Sequence, residues 1–343
     1  MVEMTVALTQ KHWSQHDMCC DFFLLLHASI KTLLMLLNII YIVCGVAVVL
    51  WGADRMTDGA VVIARRLKIP PFVIGLTVLA IGTSAPEFFV SLLSAIKNTP
   101  DMAVGNVVGS NILNVLLVGG ASAAVMPMLV KRSTIVRDVP ILLTASLLLL
   151  VLSLDGNLSR LDCVLLFGAF LAFMVYTVRS AKGHAEESEM KGKLYKLPVA
   201  IGLIVLGLVC LVVGSSFFVD GASSLARALG VSDAVIGLTV VAAGTSMPEL
   251  ATSVVAARKG QNDIAIGNII GSNIFNILMA LGLTGIISPM HIEGITVVDF
   301  VMMMVSVVML WLFSYSKLKL ERWEGCVLLL VCAGYIWWLV ANA

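Results

Sequence analysis

The chain has little charge. Lys, Arg, Asp and Glu make up 13% of its 343 residues, against 59% hydrophobic residues, and the mean hydropathy of +1.02 lies outside the range of water-soluble domains. With 22 Lys and Arg against 21 Asp and Glu, no net positive field favours a nucleic-acid partner. Histidine is also scarce. A proteolytic centre in the bilayer needs a Ser-His pair, a membrane Asp pair or H-E-x-x-H, and His12, His16, His27, His184 and His291 all fall in terminal or loop segments, so the chain does not read as an enzyme. The seven cysteines (Cys19, Cys20, Cys44, Cys163, Cys210, Cys326, Cys332) lie mostly in apolar segments without zinc-like spacing and read as small apolar residues. No cofactor is expected. The apolar/polar alternation of a membrane β-barrel is missing too.

What is present is a series of long apolar runs, near 35–55, 72–96, 103–126, 138–154, 161–178, 197–219, 234–257, 264–288, 295–314 and 323–340. Each is close to the roughly 20 residues that a helix needs to cross a bilayer, and helices keep every backbone group paired in lipid. The fold class is therefore an all-α polytopic membrane protein with ten transmembrane helices. Residues 1–34, with Trp13 and "DFFLLLHASI", hold too short an apolar run to span. They read as an interfacial segment or as sequence upstream of an alternative initiator at Met35; no A-x-A-like site follows to mark a cleaved signal peptide, and the segment is given no function.

Basic residues alternate between the ends of these runs. Arg55, Arg65, Arg66, Lys68, Lys131, Arg132, Arg137, Arg179, Lys182, Lys191, Lys193, Lys196, Arg258, Lys259, Lys317, Lys319 and Arg322 fall on one face, and only Lys11, Lys31, Lys97, Arg160 and Arg227 on the other. The positive-inside rule then places both termini outside the cytoplasm and residues 179–196 inside as a polar linker.

Two phrases occur twice. "GLTVLAIGTSAPE" (Gly75–Glu87) returns as "GLTVVAAGTSMPE" (Gly237–Glu249), and "GNVVGSNILN" (Gly105–Asn114) as "GNIIGSNIFN" (Gly267–Asn276). One offset of 162 aligns Gly52 with Gly214 through to Gly120 with Gly282, without a gap and with roughly half the positions identical, Asp58 and Asp220 among them. The units are 35–178 and 197–343. An odd shift of five helices makes them enter the membrane in opposite directions, as two inverted-topology five-helix repeats, with a site expected near the midplane where the repeats meet.

Within one copy, Pro86 lacks an N–H, so the Gly82 carbonyl loses its helical partner and the carbonyls near Ala80 and Thr83 open to ligands. Thr83, Ser84 and Ser91 lie within a turn of Glu87 on the same side. Pro248 does the same at Gly244, with Ala242, Thr245, Ser246, Glu249 and Ser253. A carboxylate near the bilayer centre costs at least about 2.5–3.5 kcal/mol and is a functional residue by default; two that face each other call for a cation or protons. Ser110 with Asn114, and Ser272 with Asn276, add neutral oxygens four residues apart. Oxygen donors without His or Cys suit hard ions such as Ca²⁺ and Na⁺.

Other repeated residues read as structure. Gly105, Gly109, Gly267 and Gly271 let backbones approach closely, Asp58 and Asp220 read as helix-end or interfacial residues, and Ser91 and Ser253 stay open between ligation and bonding to their own backbone.

The paired "GTSAPE…GNVVGSNILN" and "GTSMPE…GNIIGSNIFN" resemble the two alpha repeats of the sodium/calcium exchanger branch of the calcium:cation antiporter superfamily, from about Met35 to the end. The resemblance implies that Glu87 and Glu249 coordinate Ca²⁺ with main-chain oxygens of Thr83 and Thr245. The same centre is implied to hold Na⁺ through Ser84, Ser246, Ser110 and Ser272, the carbonyls of Ala80 and Ala242, and contacts from Asn114 and Asn276. Alternating access would slide the first and sixth helices against the other eight. Potassium-dependent members, and some archaeal ones, carry Asp where this chain has Asn276, which implies potassium independence. In the proton-coupled branch the Gly-Asn motif is usually followed by a membrane Glu; here it leads only to Ser and Asn. The expectation is a Na⁺/Ca²⁺ antiporter whose partners are these ions and the lipid bilayer, with one chain as the functional unit, in a prokaryotic cytoplasmic (inner) membrane as the short loops suggest. A Ca²⁺ or Mn²⁺/H⁺ antiporter is the alternative and a cation channel the distant one, since pores usually form from oligomeric rings.

Overall fold

The computed structural model describes residues 2–181, 195–230, 240 and 242–342, with side chains for all of these except 2–32, 181, 242 and 342. In chain order its helices are α1 (Val2–Leu67), α2 (Pro71–Thr83 and Ala85–Ile96, bent by 44°), α3 (Pro100–Val125), α4 (Thr134–Leu152) and α5 (Arg160–Ala181). They continue with α6 (Leu197–Ala228), α7 (Ala242–Thr245 and Met247–Arg258), α8 (Asn262–Ile287), α9 (Val297–Lys317) and α10 (Arg322–Asn342). Among the described residues, eight of these are long and apolar enough to cross a membrane unbroken, and α2 makes a ninth when its two pieces are taken as one span. The expected span at 234–257 lies partly outside the described residues, which hold its α7 portion, and most of the 179–196 linker lies outside them as well. Helix α1 runs without a break from Val2, and its membrane-length part is Leu33–Leu67.

Local sequence sets the helix ends. Pro71 and Pro100 occupy first-turn positions, where a missing N–H costs nothing. At the start of α9, Thr296 donates its hydroxyl to Asp299 at 2.8 Å and its backbone N–H at 2.9 Å, in a capping box.

The 162-residue offset governs the architecture well beyond the stretch where the sequence shows it. The second half of α2, Ala85–Ile96, corresponds residue for residue to Met247–Arg258 of α7. Strands β1 (Met128–Leu129) and β2 (Asn157–Leu158) have twins in β3 (Met290–His291) and β4 (Lys319–Leu320). They pair crosswise between repeats, β1 with β4 and β2 with β3. Even single bonds repeat: Val130 N–H donates to the Leu318 carbonyl at 2.9 Å, and its twin Ile292 to Gly156 at 2.8 Å.

These contacts sort the loops into two ends. At one end β1 meets β4, Arg66 Nε donates to the Tyr195 carbonyl at 2.9 Å and Lys131 pairs with Asp263 at 3.0 Å. At the other, β2 meets β3 and Asp101 accepts from the backbone N–H groups of Glu293 and Gly294 at 2.9 Å. They are the basic and the sparse faces of the charge pattern.

The closest helix pair is α1 with α6. Gly45, Gly52 and Gly59, and their twins Gly207, Gly214 and Gly221, recur every seven residues along an antiparallel seam. A Cβ on Gly45 would lie 2.7 Å from the Gly214 carbonyl oxygen, one on Gly52 2.9 Å from that of Gly207, and one on Gly59 2.6 Å from that of Ala200. Without an oil-water driving force inside a bilayer, such backbone approach is what holds helices together. Gly52→Val, which meets backbone, is expected to cost about 1–3 kcal/mol. Gly202→Val on the same helix pair, where nothing lies within 4 Å, leaves the detergent-solubilised melting temperature near that of the wild type. Equal melting temperatures for the two variants would remove the seam from the account.

Candidate functional site

Helix α2 breaks where its motif requires it. Ala80–Thr83 closes one helical turn, Ser84 leaves the helix at φ −88° and ψ 7°, and Ala85 restarts it with Pro86 in the first turn. Among the described residues no backbone amide donates across the break to the Gly82 or Thr83 carbonyl. The Ala80 carbonyl is less free than the sequence suggests. It accepts from the Ser84 N–H at 3.0 Å, which leaves it part of its acceptor capacity. In α7 the twin break falls at Ser246, φ −84° and ψ 1°.

Both carboxylates are fully buried and close enough to repel each other, and no ion pair reaches either among the described residues. Their surroundings differ. Ser84 donates its hydroxyl to Glu249 Oε1 at 2.6 Å, with Thr83 and Ser272 also in reach of that carboxylate. Neither oxygen of Glu87 has a side-chain donor among the described residues, and the hydroxyl of Ser246, twin of Ser84, has no partner among them. One half-site is thus closed across the repeat interface and the other is bare.

The GSN helices form the remaining walls. The second half of α2 packs on α8 where a wider π-helical turn (Phe275–Leu281) carries Asn276, and the second half of α7 packs on α3 where such a turn (Asn114–Gly119) begins at Asn114. Both side-chain amides are buried with no hydrogen-bond partner among the described residues. Ser110 and Ser272 are buried one turn before them, and Ser272 lies 3.5 Å from Thr83. Thr245 is half-buried and lines an open cavity of about 230 Å³ with Pro86, Ser215, Ser216, Val219, Asp220 and Pro248. Ala242 begins the first turn of α7; its side chain lies outside the described set.

Sequence reading missed four asparagines. Asn106 donates to the Glu87 carbonyl at 3.0 Å and to Ser91 at 2.9 Å, while Asn268 donates to Ser253 at 3.0 Å and accepts from Thr83 at 3.3 Å. Ser91 and Ser253 are thereby held in packing contacts. Among the described residues, the buried amide of Asn111 has no partner, and its twin Asn273 bonds the Ile269 carbonyl at 2.7 Å. The signal was available, because all four stand at repeated positions of the two motifs. Gly267 and Gly271 do meet backbone, at Phe72 and Leu76. The twin contacts of Gly105 and Gly109 would fall on residues 231–239, outside the described set.

An inverted repeat with broken helices and buried carboxylates at the breaks defines the class: a secondary transporter. The chain belongs to the sodium/calcium exchanger family, whose model matches residues 37–179 and again 199–341, one match per repeat and again 162 apart. Inner membrane protein YrbG of Escherichia coli is 39% identical over 316 residues, covering 89% of this chain and 96% of its own. Sodium/calcium exchanger MaX1 of Methanosarcina acetivorans is 31% identical, covering 87% and 97%. Among solved structures, the sodium-calcium exchanger NCX_Mj soaked without Na⁺ and Ca²⁺ superposes with a TM-score of 0.77 at 32% identity, over 90% of this chain and all of that one.

The unequal half-sites give a stability prediction. Ser84→Ala leaves a buried Glu249 oxygen without its donor and is expected to cost about 1–3 kcal/mol. Ser246→Ala, which removes an unpartnered hydroxyl, should cost clearly less, as read from paired melting curves in ion-free detergent. Equal losses would show that the Ser84 bond does not hold this half-site together.

Proposed function

We propose that the chain is a Na⁺/Ca²⁺ antiporter working by alternating access, with Glu87 and Glu249 as the charged ligands of Ca²⁺. The observation that carries the reading is the set of orphaned oxygens around the carboxylate pair: both of Glu87, one of Glu249, the amides of Asn114 and Asn276 and the hydroxyl of Ser246. Buried polar atoms in this number need a partner, and the two negative charges make that partner cationic. Hard oxygen donors without nitrogen or sulfur favour Ca²⁺ and Na⁺ over softer ions. Main-chain oxygens of Thr83 and Thr245 complete the Ca²⁺ set. Ser84, Ser246, Ser110, Ser272, the carbonyls of Ala80 and Ala242, and Asn114 and Asn276 serve Na⁺ in the same space, so the two ions exclude each other.

With Asn rather than Asp at 276, K⁺ is no part of the cycle. The match to rat sodium/potassium/calcium exchanger 3 spans only 41% of this chain and 24% of that protein. Transport needs one chain and no cofactor. The basic face lies in the cytoplasm and both termini outside it, in a prokaryotic inner membrane, a setting supported by the relative named an inner membrane protein.

Reconstituted vesicles loaded with Na⁺ are expected to take up ⁴⁵Ca²⁺, whereas choline-loaded vesicles are not, and external K⁺ should leave the rate unchanged. Glu87→Gln and Glu249→Gln should each lower the rate by at least about 100-fold, through loss of a charged ligand worth several kcal/mol. Uptake driven by internal acid alone would replace Na⁺ with H⁺ as the coupling ion, and full activity of Glu87→Gln would remove the site.

A further inference from the structure

One repeated pair of residues is used by neither the site nor the seam. Lys97 and Lys259 are twins, and so are Asp58 and Asp220. Each lysine caps the C-terminus of a half-helix in the same turn, followed by a residue of positive φ, Asn98 at 59° and Gly260 at 72°. At the basic face the pair is made. Lys259 Nζ lies 2.7 Å from Asp58 Oδ1, 2.7 Å from Asp54 Oδ1 and 3.0 Å from the Asp54 carbonyl, and so ties α7 to α1. Arg55 adds a contact of 2.7 Å to Asp54. Asp58 is no helix-end residue, since α1 continues to Leu67.

At the sparse face the same pair is open. Lys97 is exposed and makes no ion pair with a described residue, and Asp220 stands exposed on the wall of the 230 Å³ cavity. That cavity separates Pro86 of α2 from Val212–Asp220 of α6, in the place where the twin helices α7 and α1 are packed together.

We propose that the two pairs are alternating latches. Lys259 on Asp58 and Asp54 shuts the basic-face mouth while the sparse-face mouth is open, and Lys97 on Asp220 shuts the sparse-face mouth in the opposite state. Two halves of one design can exchange their conformations, so a contact present in one repeat is available to the other. The latches are unequal by sequence, because Asp54 and Arg55 have Ser216 and Phe217 as twins. The basic-face latch has more charge to hold it, and the resting protein is expected to favour the state in which Lys259 is paired and Lys97 and Asp220 are apart.

The inference rests on the alternating-access reading, and the tests keep the two apart. In Na⁺-loaded proteoliposomes, Lys97→Asp and Asp220→Lys are each expected to lower the maximal ⁴⁵Ca²⁺ exchange rate by about 5-fold or more without moving the half-saturating Ca²⁺ concentration. The double reversal should restore the rate to within about 2-fold of wild type. Single reversals without effect, or a double variant no faster than the slower single, would overturn the latch while wild-type exchange leaves the function standing. A second measurement needs no transport. In the full chain with its native cysteines replaced by serine, Lys97→Cys and Asp220→Cys should be joined by a short thiol cross-linker, and more so when Lys259→Met opens the opposite latch. No cross-link in either background would refute the latch, whether or not the vesicles exchange ions.

Discussion

Two carboxylates sit side by side in an apolar bundle, with no Lys or Arg paired to either among the described residues, and the helix breaks and polar walls of the interior are arranged around them. A buried negative charge is held only where hydrogen bonds or a cation meet it. The helix breaks at Ser84 and Ser246, the crossing hydroxyls of Thr83, Ser84 and Ser272, and the widened turns at Asn114 and Asn276 all bring oxygen-bearing groups to that point. A straight α2 would keep its carbonyls in its own hydrogen-bond ladder.

Symmetry builds this centre and unequal contacts make it directional. The repeats share element boundaries, cross-repeat strands and single hydrogen bonds, yet one carboxylate is closed by Ser84 and the other is bare, and one Lys-Asp pair is made while its twin is open. A strictly symmetric molecule would give the same access to both membrane faces. The departures fall along α1 and α6, whose glycine seam lets the two backbones interlock while α1 packs closely on the second half of α7 and α6 faces Pro86, at the start of the second half of α2, across the cavity.

Much of this was legible in the residues. The motifs at Gly75–Glu87 and Gly105–Asn114, repeated at one offset, announced the duplication, the inverted topology and the residues at the breaks, because Pro, Gly and Glu have few other reasons to recur together in an apolar span. The repeat could not be followed past Gly120 and Gly282, although the fold keeps it into the last helix of each half, α5 beginning at Arg160 and α10 at Arg322. Lipid-facing positions there tolerate any apolar residue, so identity decays while geometry persists. The π-helical turns left no mark, since their apolar residues are of the same types as those of the α-helix on either side. The glycines at 45, 52 and 59 were visible, but their spacing of seven makes a seam only once a partner with the same spacing lies antiparallel to it. Asp58 looked like a helix end because the first apolar run stops near residue 55; the helix passes through Thr57, Asp58 and Gly59 and goes on into the buried apolar stretch 60–64.

The crosswise strands bear on how the chain is made. Strands β1 and β2 leave the ribosome early, and their partners β4 and β3 belong to the last loops to be synthesised. Until then the first repeat carries unpaired edges at both of its ends and an unmatched half of the buried charge, and it cannot settle as an independent unit. Such an order of events makes the first half a template that waits, and the final helices, α9 and α10, the step that commits the molecule to its folded form.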